Sequence, residues 1–426
     1  MAELAQLVAA MSRPEFYSHP VRPPIQVRQT HISYVFLTGD FAYKIKKPVD
    51  FGFLDFSTLE QRRHFCEEEL RLNRIFAPAL YVDVLPIYKR TAQFSFSPAV
   101  DSDIVEYALR MRQFREEDLW ENVFDRGGLG DSHVTEITGV LVQLHAKARA
   151  DEYVAQFGAP RLVRKVAEET FLQVSRNVGH LRNADFLRPA EAFAERFLQV
   201  HAGLFQRRVN EKRIRECHGD LHLRNICFFE GAIQLFDRIE FNEEFRNIDV
   251  VYDLAFLVMD LADRGRRDLA NLLWNTYVEE SGDYEGALLM RFYAMMRALI
   301  RVKVLLLQYR EPETPEALRP RLREEAERYL ALAHGYAVRG RGHVIVMCGL
   351  SGAGKSIVAM QIARRIDALR IRSDAVRKHM AGIGLRETRD ELYSPEMTER
   401  VYGRLTEIAI PLAREGTPVV LDATFA

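Results

Sequence analysis

The sequence predicts an α+β region over residues 1–335, followed by a partial α/β domain with a parallel sheet over residues 343–426. Three patterns lead to this prediction. Between residues 26 and 112, β-rich runs surround one helical stretch. Residues 113–335 show mainly the 3.6-residue periodicity of helices. After residue 342, an apolar run leads directly into a glycine-rich loop and a helical pattern, the order of a strand, a turn and a helix in a parallel sheet.

Composition narrows the class of protein. Of the 426 residues, 48% are hydrophobic and 28% are charged, and the formal net charge is only −1. This balance does not predict non-specific binding to nucleic acid or to an anionic membrane. The four cysteines are far apart, so we expect neither a zinc site nor a disulfide framework, and a reduced, cytoplasmic compartment fits best. The first residues lack the basic region of a signal peptide, and the most apolar helical run, residues 298–309, is too short to span a bilayer.

Residues 1–112 predict a first domain with a small antiparallel sheet and one helix. The run ISYVFLTGDFAYKIKKP contains two strands joined by TGD, which is hairpin chemistry. The run STLEQRRHFCEEELRLNRIF follows as a helix, with Ser57 as its N-cap and Glu60 at capping-box spacing. LYVDVLPIY, AQFSFSP and DIVEYALRM supply further strands.

Residues 113–335 predict a second, mainly helical domain. The run VTEITGVLVQLHAKA, for example, repeats apolar residues every three or four positions. Two short apolar runs, NICFFE and AIQLFD, interrupt the helices and predict a small hairpin around Gly231. The segment VRGRG then marks a linker, which we place at residues 336–342.

The first group of candidate functional residues flanks this hairpin. His218, Asp220 and Asn225 precede it in the pattern H-x-D-x-x-x-x-N, and Asp237 follows its second strand. Phosphoryl transfer from ATP needs a carboxylate that accepts the proton of the acceptor hydroxyl, oxygen ligands for Mg²⁺ and a cation on the phosphates. The spacing brings a candidate base and candidate metal ligands to one side of the hairpin, and we expect His218 to hold the loop. Two neighbours stay open between a catalytic role and contact with solvent or substrate: His222 and Arg224.

Together, HGDLHLRN and LFDRIEF resemble the Brenner motif of aminoglycoside phosphotransferases and choline kinases, which share the protein-kinase-like two-lobed fold. The resemblance covers most of residues 26–335 in order. It implies that Asp220 is the catalytic base and that Asn225 and Asp237 bind Mg²⁺. It also implies that Asp253, in IDVVYDLAF, buttresses the catalytic loop without touching substrate.

The same family implies a lysine on the third strand and a glutamate on a helix that holds it, so that the lysine can bind the phosphates of ATP. In FAYKIKKP, strand alternation puts Ala42, Lys44 and Lys46 on one face. The A-x-K pattern of Ala42 and Lys44 favours Lys44, and Lys46 stays its rival.

For the partner glutamate, the helix offers three consecutive acids. Glu69 has Leu72 and Phe76 three and seven residues later, a register that faces the core, so the sequence favours Glu69. Glu67 and Glu68 are typical of a solvated face, although Glu68 stays an alternative.

One element of the protein-kinase pattern is missing, because the first strand pair contains no G-x-G-x-x-G. The corresponding turn is RQTHISY, which predicts nucleotide contacts from backbone amides and from Thr30 or Ser33. The adenine is expected on a linker strand within residues 105–112.

The second group of candidate residues forms a phosphate-binding loop. GLSGAGKS fits G-x-x-x-x-G-K-S and lies between the apolar run VIVMC and the helical run SIVAMQIARRI. Loop amides and a helix N-terminus attract phosphate, the lysine is expected to reach the β- and γ-phosphates, and the serine is expected to bind Mg²⁺. The residues predicted to bind the nucleotide are Gly349, Ser351, Gly352, Gly354, Lys355 and Ser356.

Beyond this loop, LRIRSDAVRKHM and TPVVLDATF resemble the group of P-loop kinases that includes polynucleotide kinases, gluconate kinases and zeta toxins. The resemblance implies that Asp374 activates an acceptor hydroxyl and that Arg377 contacts the acceptor. Asp422 is expected at the end of a strand, in a Walker-B-like metal-binding position. Residues 343–426 lack the further strands and the lid of such a domain, so we expect a partial domain that binds phosphate poorly and does not catalyse.

These features lead us to expect a phosphotransferase that depends on ATP and Mg²⁺ and acts on a hydroxyl of a small molecule. The paired order of the two parts resembles bacterial bifunctional aminoglycoside phosphotransferase/ATP-binding proteins, a likeness that does not make aminoglycosides the substrate. One alternative is a nucleotide-sensing regulatory protein that transfers no phosphate. The other is a kinase of nucleic-acid or nucleoside ends centred on the P-loop, which the near-neutral charge disfavours.

A polycationic acceptor would call for an acidic pocket. The acids that lie near the first site in sequence are Glu243, Glu244 and Asp260. Such acids are more often surface charges or helix caps, and their sequence positions do not show that they converge. The sequence therefore leaves the acceptor and the oligomeric state open.

Overall fold

The computed structural model describes residues 2–52, 54–312, 314–338, 340–350 and 352–425. The chain separates into two compact units. The first comprises Met1–Leu129 and His218–Arg246, and the second comprises Gly130–Cys217 and Asn247–Ala426. The predicted domain boundaries at residues 112, 335 and 342 stay predictions.

The elements that the sequence patterns predict occur in the predicted order. The strands are β1 (Gln26–Gln29), β2 (Ser33–Leu37), β3 (Phe41–Lys46), β4 (Tyr81–Arg90), β5 (Gln93–Ser95), β6 (Asp103–Arg112), β7 (Ile214–Glu216), β8 (Ile226–Phe229), β9 (Ala232–Leu235), β10 (Asn247–Asp249), β11 (Val344–Cys348), β12 (Leu369–Arg372) and β13 (Val419–Phe425). The helices are α1 (Ala2–Met11), α2 (Leu59–Phe76), α3 (Trp120–Asp125), α4 (Asp131–Lys147), α5 (Glu152–Ala155), α6 (Pro160–Ser175), α7 (Leu187–Val200), α8 (Ala202–Asn210), α9 (Glu243–Arg246), α10 (Val250–Asp263), α11 (Arg267–Ser281), α12 (Met290–Arg310), α13 (Arg319–Ala337), α14 (Lys355–Ile366), α15 (Ser373–Met380) and α16 (Pro395–Arg414). Helix α1 and strands β7 and β10 are among the additional elements that the patterns do not predict.

The first unit is built on an antiparallel sheet with the strand order β1-β2-β3-β6-β4-β5. The predicted hairpin joins β2 to β3, which pair from Ser33 opposite Lys46 to Leu37 opposite Ala42. Helix α2 packs against β4 and β6. The predicted antiparallel sheet with its packed helix α2 is therefore present, and α1 is a second helix on this sheet that the sequence patterns do not predict.

The capping box of α2 lies one residue later than predicted. Thr58, not Ser57, is the N-cap, and its side chain accepts a hydrogen bond from the backbone of Gln61. The amide of Ser57 donates instead to Asp55 Oδ1 at 2.9 Å, so Ser57 belongs to the preceding turn. The prediction of Ser57 was wrong because Asp55 binds its amide, which leaves the adjacent hydroxyl of Thr58 to cap the helix.

Strand β3 is buried on both faces of the sheet. Tyr43 and Ile45 pack in one cluster with Leu7 and Met11 of α1. Because side chains alternate along a strand, Lys44 and its neighbour two residues later point to the opposite face. Two ammonium groups are thereby placed on the face of the sheet away from this apolar cluster.

The predicted hairpin around Gly231 is formed by β8 and β9. The pairing runs from Ile226 opposite Leu235 to Phe229 opposite Ala232, which leaves a two-residue turn. Both turn residues have positive φ, 51° at position 230 and 78° at Gly231, as the favoured hairpin turns require. The candidate catalytic residues flank the open end of this hairpin, opposite its turn.

The second unit contains a helical part and a parallel sheet. Buried leucines such as Leu254, Leu273 and Leu299 lie on the apolar faces of α10, α11 and α12, and α10 packs on both α11 and α12. The parallel sheet has the order β11-β13-β12, and α14 packs on it through Ala359 and Ala363. The predicted α/β part is therefore present. Within the described ranges, no helix combines the length and the apolar character needed to cross a membrane.

Candidate active site

A buried lysine and glutamate connect β3 to α2. Lys44 Nζ lies 2.7 Å from Glu69 Oε1 and 2.7 Å from Asp237 Oδ1. Glu69 is only 1% exposed, whereas 47% of the Asp237 side chain is exposed. The favoured lysine and the favoured glutamate thus contact each other, and Lys44 also contacts Asp237, a predicted metal ligand.

The rival lysine belongs to the same network. Lys46 Nζ lies 2.7 Å from Glu69 Oε2 and also donates to Glu240 Oε1. Each oxygen of Glu69 therefore accepts from one lysine. Both Lys46 and Glu240 are buried, and of the two lysines only Lys44 also bonds to the half-exposed Asp237. This difference favours Lys44 as the phosphate-binding lysine and places Lys46 behind it.

The charges of this network set its protonation states. Burial raises the pKa of Glu69, but the two lysines outweigh burial and bring it down to about 2. Burial lowers the pKa of Lys44, but Asp237 and Glu69 reverse the effect and hold it well above its ordinary value. Glu240 contacts one lysine, and burial keeps the pKa of Glu240 above its ordinary value. The Glu69 carboxylate and both ammonium groups are therefore charged at neutral pH.

The two acids that precede Glu69 form ion pairs with arginines of the same helix, α2. Glu67 Oε1 accepts from Arg63 at 2.8 Å, and Glu68 accepts from Arg71 at 2.8 and 2.9 Å. Of the three consecutive glutamates, Glu69 is the one that faces β3. The helical register that favoured Glu69 in the sequence is thus the register of the fold.

His218 is fully buried and holds the loop that precedes Asp220. Its Nε2 donates to the carbonyl oxygen of Phe236 at 2.9 Å, and its Nδ1 accepts from the amide of Asp220 at 3.3 Å. Gly219 has φ +87°, and a Cβ there would lie 2.7 Å from the carbonyl oxygen of Phe245. The loop therefore requires glycine at this position, and the histidine ties it to the end of β9.

The Asp220 carboxylate is oriented by two side chains of the same loop. Asn225 Nδ2 donates to Asp220 Oδ2 at 3.1 Å and to its carbonyl oxygen at 2.9 Å. His222 Nε2 lies 3.3 Å from the same Oδ2. Because His222 Nδ1 accepts from the amide of Arg224 at 3.2 Å, the proton of a neutral His222 belongs on Nε2, which faces the carboxylate. Sequence reasoning left the role of His222 open, and the structure places it against the candidate base.

Asp237 lies just after the second strand of the hairpin. Its backbone is in the left-handed region, with φ 60°. Its amide donates to Tyr81 Oη at 3.0 Å, and the amide of Phe236 donates to the carbonyl oxygen of Asn225 at 2.9 Å. The two predicted metal ligands thus lie on either side of the open end of one hairpin, before its first strand and after its second. A half-exposed carboxylate and an amide oxygen are donors that a hard cation such as Mg²⁺ prefers, so the residues present fit this ion.

The other residues predicted to contact the nucleotide at this site belong to the antiparallel sheet and to one of its turns. Thr30 Oγ1 accepts hydrogen bonds from the amides of Ile32 at 3.3 Å and Ser33 at 3.0 Å, so it closes its own turn. Ser33 is buried. Residues 105–112 belong to β6, which is paired on both sides by β3 and β4. The adenine contact of this strand and the contacts of Thr30 or Ser33 stay predictions.

Asp253 lies in the first turn of α10 and is fully buried. Its Oδ2 lies 3.1 Å from His145 Nε2, and His145 Nδ1 lies 2.7 Å from Tyr277 Oη. Donation from Nε2 to Asp253 and acceptance at Nδ1 satisfy both ring nitrogens. The predicted buttressing role of Asp253 stays a prediction.

The acids considered for a cationic acceptor are bound locally. Glu243 Oε1 accepts from Arg246 at 3.0 Å, and Asp260 Oδ1 accepts from Arg264 at 3.1 Å. The amide of Glu244 donates to the side chain of Asn242 at 2.9 Å. Glu243 and Glu244 therefore make the contacts of a helix surface and a turn, whereas Asp260 is buried within α10.

The glycine-rich loop lies between β11 and α14, as predicted. Gly349, Gly352 and Gly354 have φ 134°, 78° and 79°, values that favour glycine. Lys355 Nζ donates to the carbonyl oxygens of residues 349 and 350 at 2.8 and 2.6 Å. The lysine therefore lies over its own loop, at the position where a phosphate would meet it.

A cavity of about 400 Å³ opens beside this loop. Its walls include Lys355, Ser356, Asp374 and Asp422, so the predicted loop residues and both predicted carboxylates meet there. Ser351 lies outside the described residues.

Asp374 lies in the first turn of α15, not on the strand before it. Tyr393 Oη donates to Asp374 at 2.8 Å, and Lys378 Nζ lies 3.0 Å from its other oxygen. Burial raises the pKa of Asp374, but Tyr393 and Lys378 outweigh it and lower the pKa. Arg377 lies 4.7 Å over the Tyr393 ring. The roles of Asp374 and Arg377 toward an acceptor stay predictions.

Asp422 lies within β13 and not at its end, opposite Met347 of β11 and Arg372 of β12. It is 6% exposed, and its Oδ2 has no hydrogen-bond partner among the residues that the structure describes. Arg370 Nη1 lies 4.0 Å from this oxygen. Since a buried carboxylate oxygen without a partner is costly, Asp422 fits a position where a cation binds.

Comparison with known proteins agrees with the P-loop part. The family model described as AAA domain matches residues 344–426, the segment that contains the glycine-rich loop. The predicted order of an α+β part followed by an α/β part with a P-loop is thus confirmed by the sheets, the hairpin and the loop of this structure and by this match.

The chain as a whole is similar to mycobacterial proteins. Uncharacterized protein Rv2004c of Mycobacterium tuberculosis H37Rv is 29% identical over 415 residues, 96% of this chain and 80% of that protein. Uncharacterized protein Mb2027c of Mycobacterium bovis gives the same values.

Solved structures similar to the chain include a choline/ethanolamine kinase family protein from Mesorhizobium loti, at 14% identity and a TM-score of 0.43, over 78% of this chain and 99% of that one. Choline kinase from Cryptosporidium parvum Iowa II has 11% identity and a TM-score of 0.43, over 79% and 95% of the two chains.

Proposed function

We propose that this protein transfers the γ-phosphoryl group of ATP to a hydroxyl of a small molecule in a reaction that needs Mg²⁺. The observation that carries the proposal is the bond from Lys44 to both Glu69 and Asp237, in the unit where Asn225 and His222 orient Asp220. A phosphate clamp, metal-binding oxygens and a carboxylate base are the parts that phosphoryl transfer requires.

The side chains divide the tasks of phosphoryl transfer among them in this proposal. Asp220, 38% exposed, would accept the proton of the acceptor hydroxyl. Asn225 and His222 fix the direction of its carboxylate. Lys44, held by Glu69, would bind the phosphates, and Asn225 and Asp237 would hold Mg²⁺. The ion, when bound, would neutralise charge on the phosphates.

The P-loop segment is proposed as a second nucleotide site. Lys355 and Ser356 line the same cavity as Asp422, which is the arrangement of a lysine, a hydroxyl and a carboxylate around bound phosphate and metal. The acceptor of the first site is proposed to be a small molecule. A net charge of −1 does not predict the basic surface that a nucleic-acid acceptor would need.

The test compares ATP consumption in the presence of a panel of sugars, nucleosides, amino alcohols and aminoglycosides. A productive acceptor should raise ATP consumption by the parent chain, and Asp220→Asn should lower that rate by about 10²–10⁴-fold. Affinity for an ATP analogue should stay within about twofold, since Asp220 does not hold the nucleotide. Lys355→Ala, measured in parallel, assigns any residual hydrolysis to the P-loop.

Asp101→Asn is the matched control, because Asp101 is an exposed turn residue with a positive φ that asparagine also adopts. It should leave the rate unchanged. If Asp220→Asn turned over ATP with an acceptor at the parent rate, the assignment would be wrong. If no acceptor raised turnover while nucleotide affinity were intact, a nucleotide-sensing role would replace transfer.

A further inference from the structure

Helix α11 is hydrogen-bonded to the outer strand of the parallel sheet. Its residues Asn271, Asn275 and Glu279 are spaced by four and lie on one face of the helix. Asn271 Nδ2 and Asn275 Nδ2 both donate at 3.0 Å to the carbonyl oxygen of Ala368, just before β12. Asn275 Oδ1 accepts from the amide of Arg370 at 2.6 Å. The helical part thus satisfies backbone groups that an edge strand would otherwise expose.

Glu279 continues this face and holds two arginines of β12. Its Oε2 lies 2.9 Å from Arg370 Nη2, and its Oε1 lies 3.0 Å from Arg372 Nη1. The side chains of Glu279 and Arg370 are 16% and 9% exposed. The Glu279 carbonyl oxygen also accepts from His379 Nε2 at 2.7 Å, which fixes the end of the helix. One carboxylate of the helical part therefore sets the direction of two guanidinium groups.

These arginines lie beside the carboxylates of the P-loop cavity. Arg370 Nη1 is 4.0 Å from Asp422 Oδ2, beyond hydrogen-bond reach, and Arg372 Nη2 is 3.7 Å from Asp374 Oδ2. Arg370 Nη1 donates to the carbonyl oxygen of Ser356 at 3.3 Å. Its Nε has no hydrogen-bond partner within the described ranges. If Glu279 released it, Arg370 could form a charge-assisted bond with Asp422 by a movement of about 1 Å.

We propose that Glu279 is a positioning residue for the nucleotide site of the P-loop. By holding Arg370, it keeps that cation from neutralising Asp422, so that the buried carboxylate can take a divalent cation. The inference rests on the proposed nucleotide site at the P-loop. In this proposal, a residue of the helical part sets the cation affinity of a cavity whose lining residues all lie between residues 352 and 424.

The experiment measures the dissociation constant of the ATP analogue AMP-PNP by calorimetry, with Mg²⁺ and with EDTA. The parent is the full chain with Asp237→Asn, which weakens metal binding at the first site. Binding lost on adding Lys355→Ala defines the P-loop component. Glu279→Gln should weaken the Mg²⁺-dependent P-loop component by about 10- to 100-fold, the range for residues that orient metal ligands, and should leave the value in EDTA unchanged.

Two variants separate this role from simple docking. Glu280→Gln removes the adjacent carboxylate and should leave Mg²⁺-dependent binding unchanged. Glu279→Gln combined with Arg370→Met should restore Mg²⁺-dependent binding, because the competing cation is gone. Restoration is the result that a purely structural role for Glu279 would not give.

Trp274 lies on α11, so its fluorescence in a Trp120→Phe background shows whether each variant is folded. If Glu279→Gln does not fold, Arg370→Met alone serves as the test and should retain Mg²⁺-dependent binding. Loss of binding in Arg370→Met, or a folded Glu279→Gln with unchanged binding, would overturn the inference. No P-loop component in the first place, with Lys355→Ala without effect, would instead remove the proposed nucleotide site.

Discussion

Replacing Lys46 by methionine tests whether the buried network behind the phosphate-binding lysine is held by charge. Lys46 is 1% exposed and contacts Glu69 Oε2 at 2.7 Å as well as the Glu240 carboxylate. Methionine keeps most of the side-chain volume and removes the ammonium group. Glu69 keeps Lys44, but Glu240 is left buried without the lysine that contacts it.

The size of the effect follows from the options left to Glu240. Removing one partner of a buried ion pair costs about 3–5 kcal/mol when the other stays charged. Glu240 can avoid this by taking up a proton, at 1.36 kcal/mol per pH unit above its ordinary pKa of 4.5. This route costs about 3.4 kcal/mol at pH 7 and about 0.7 kcal/mol at pH 5. We therefore expect Lys46→Met to lose about 3 kcal/mol at pH 7 and about 1 kcal/mol at pH 5.

The direction of the pH dependence is fixed by linkage. Burial already raises the folded-state pKa of Glu240, and loss of Lys46 raises it further. A carboxyl group with a raised folded-state pKa contributes its full stability below the unfolded pKa of about 4.5 and loses it as pH rises through the folded value. The difference between the variant and the parent must therefore grow from pH 5 to pH 7.

The assay is urea unfolding at the two pH values, followed by tryptophan fluorescence. The chain has two tryptophans, and Trp274→Phe leaves Trp120, which lies in the unit that contains the network. Lys47→Met is the control, since Lys47 lies next along the strand and is only partly buried, and it should cost less than about 1 kcal/mol. Equal slopes of the unfolding free energy against urea show that the variants lose the same structure.

The double variant Lys46→Met with Glu240→Gln decides whether charge is the cause. Replacing both partners of a buried ion pair by neutral groups is often nearly neutral, so stability should return to within about 1 kcal/mol of the parent. A loss that is the same at pH 5 and pH 7, or a double variant as unstable as Lys46→Met, would refute the reasoning and assign the effect to packing.

Three further predictions concern other parts of the chain. Gly219→Ala should cost about 1–3 kcal/mol and lower turnover, since φ is +87° and a Cβ would meet the Phe245 carbonyl oxygen; urea unfolding and the coupled ATP assay measure both. Arg208→Met should cost about 3–5 kcal/mol by urea unfolding, because its fully buried guanidinium is shared by two aspartates. In the folded protein, iodoacetamide should modify Cys348 first, as judged by peptide mass spectrometry, because the other three thiols are buried.

The clamp was predictable to the extent that local patterns carry information. Strand alternation placed Lys44 and Lys46 on one face, and the fold uses both, one on each oxygen of Glu69. The choice of Glu69 followed from Leu72 and Phe76, which are 0% and 4% exposed. Strand alternation does not show which of the two lysines contacts the half-exposed Asp237, since that contact depends on a segment distant in sequence.

Contacts between distant segments were the part that the sequence could not provide. Glu240 follows Asp237 by three residues, but only the side-chain contacts between β3 and the segment after the hairpin make it a partner of Lys46. His222 was left open because its direction depends on the hydrogen bond from the amide of Arg224. The polar face of α11 carried a readable signal, asparagines four residues apart in an apolar helix, but its partner β12 lies about 95 residues later.

The two candidate nucleotide sites share one electrostatic device. In each, a cation lies between a carboxylate that faces the site and a carboxylate on a helix: Lys44 lies between Asp237 and the buried Glu69, and Arg370 lies near Asp422 and is bonded to the partly buried Glu279. A cation held from behind keeps its charge in place and neutralises the site carboxylate only in part, which leaves that carboxylate able to take Mg²⁺. Arg208 shows the contrast, because both of the aspartates that bind it are buried and neither faces a site. Neutralising the helical carboxylate, by Glu69→Gln or Glu279→Gln, should therefore weaken cation binding at the corresponding site without touching a metal ligand.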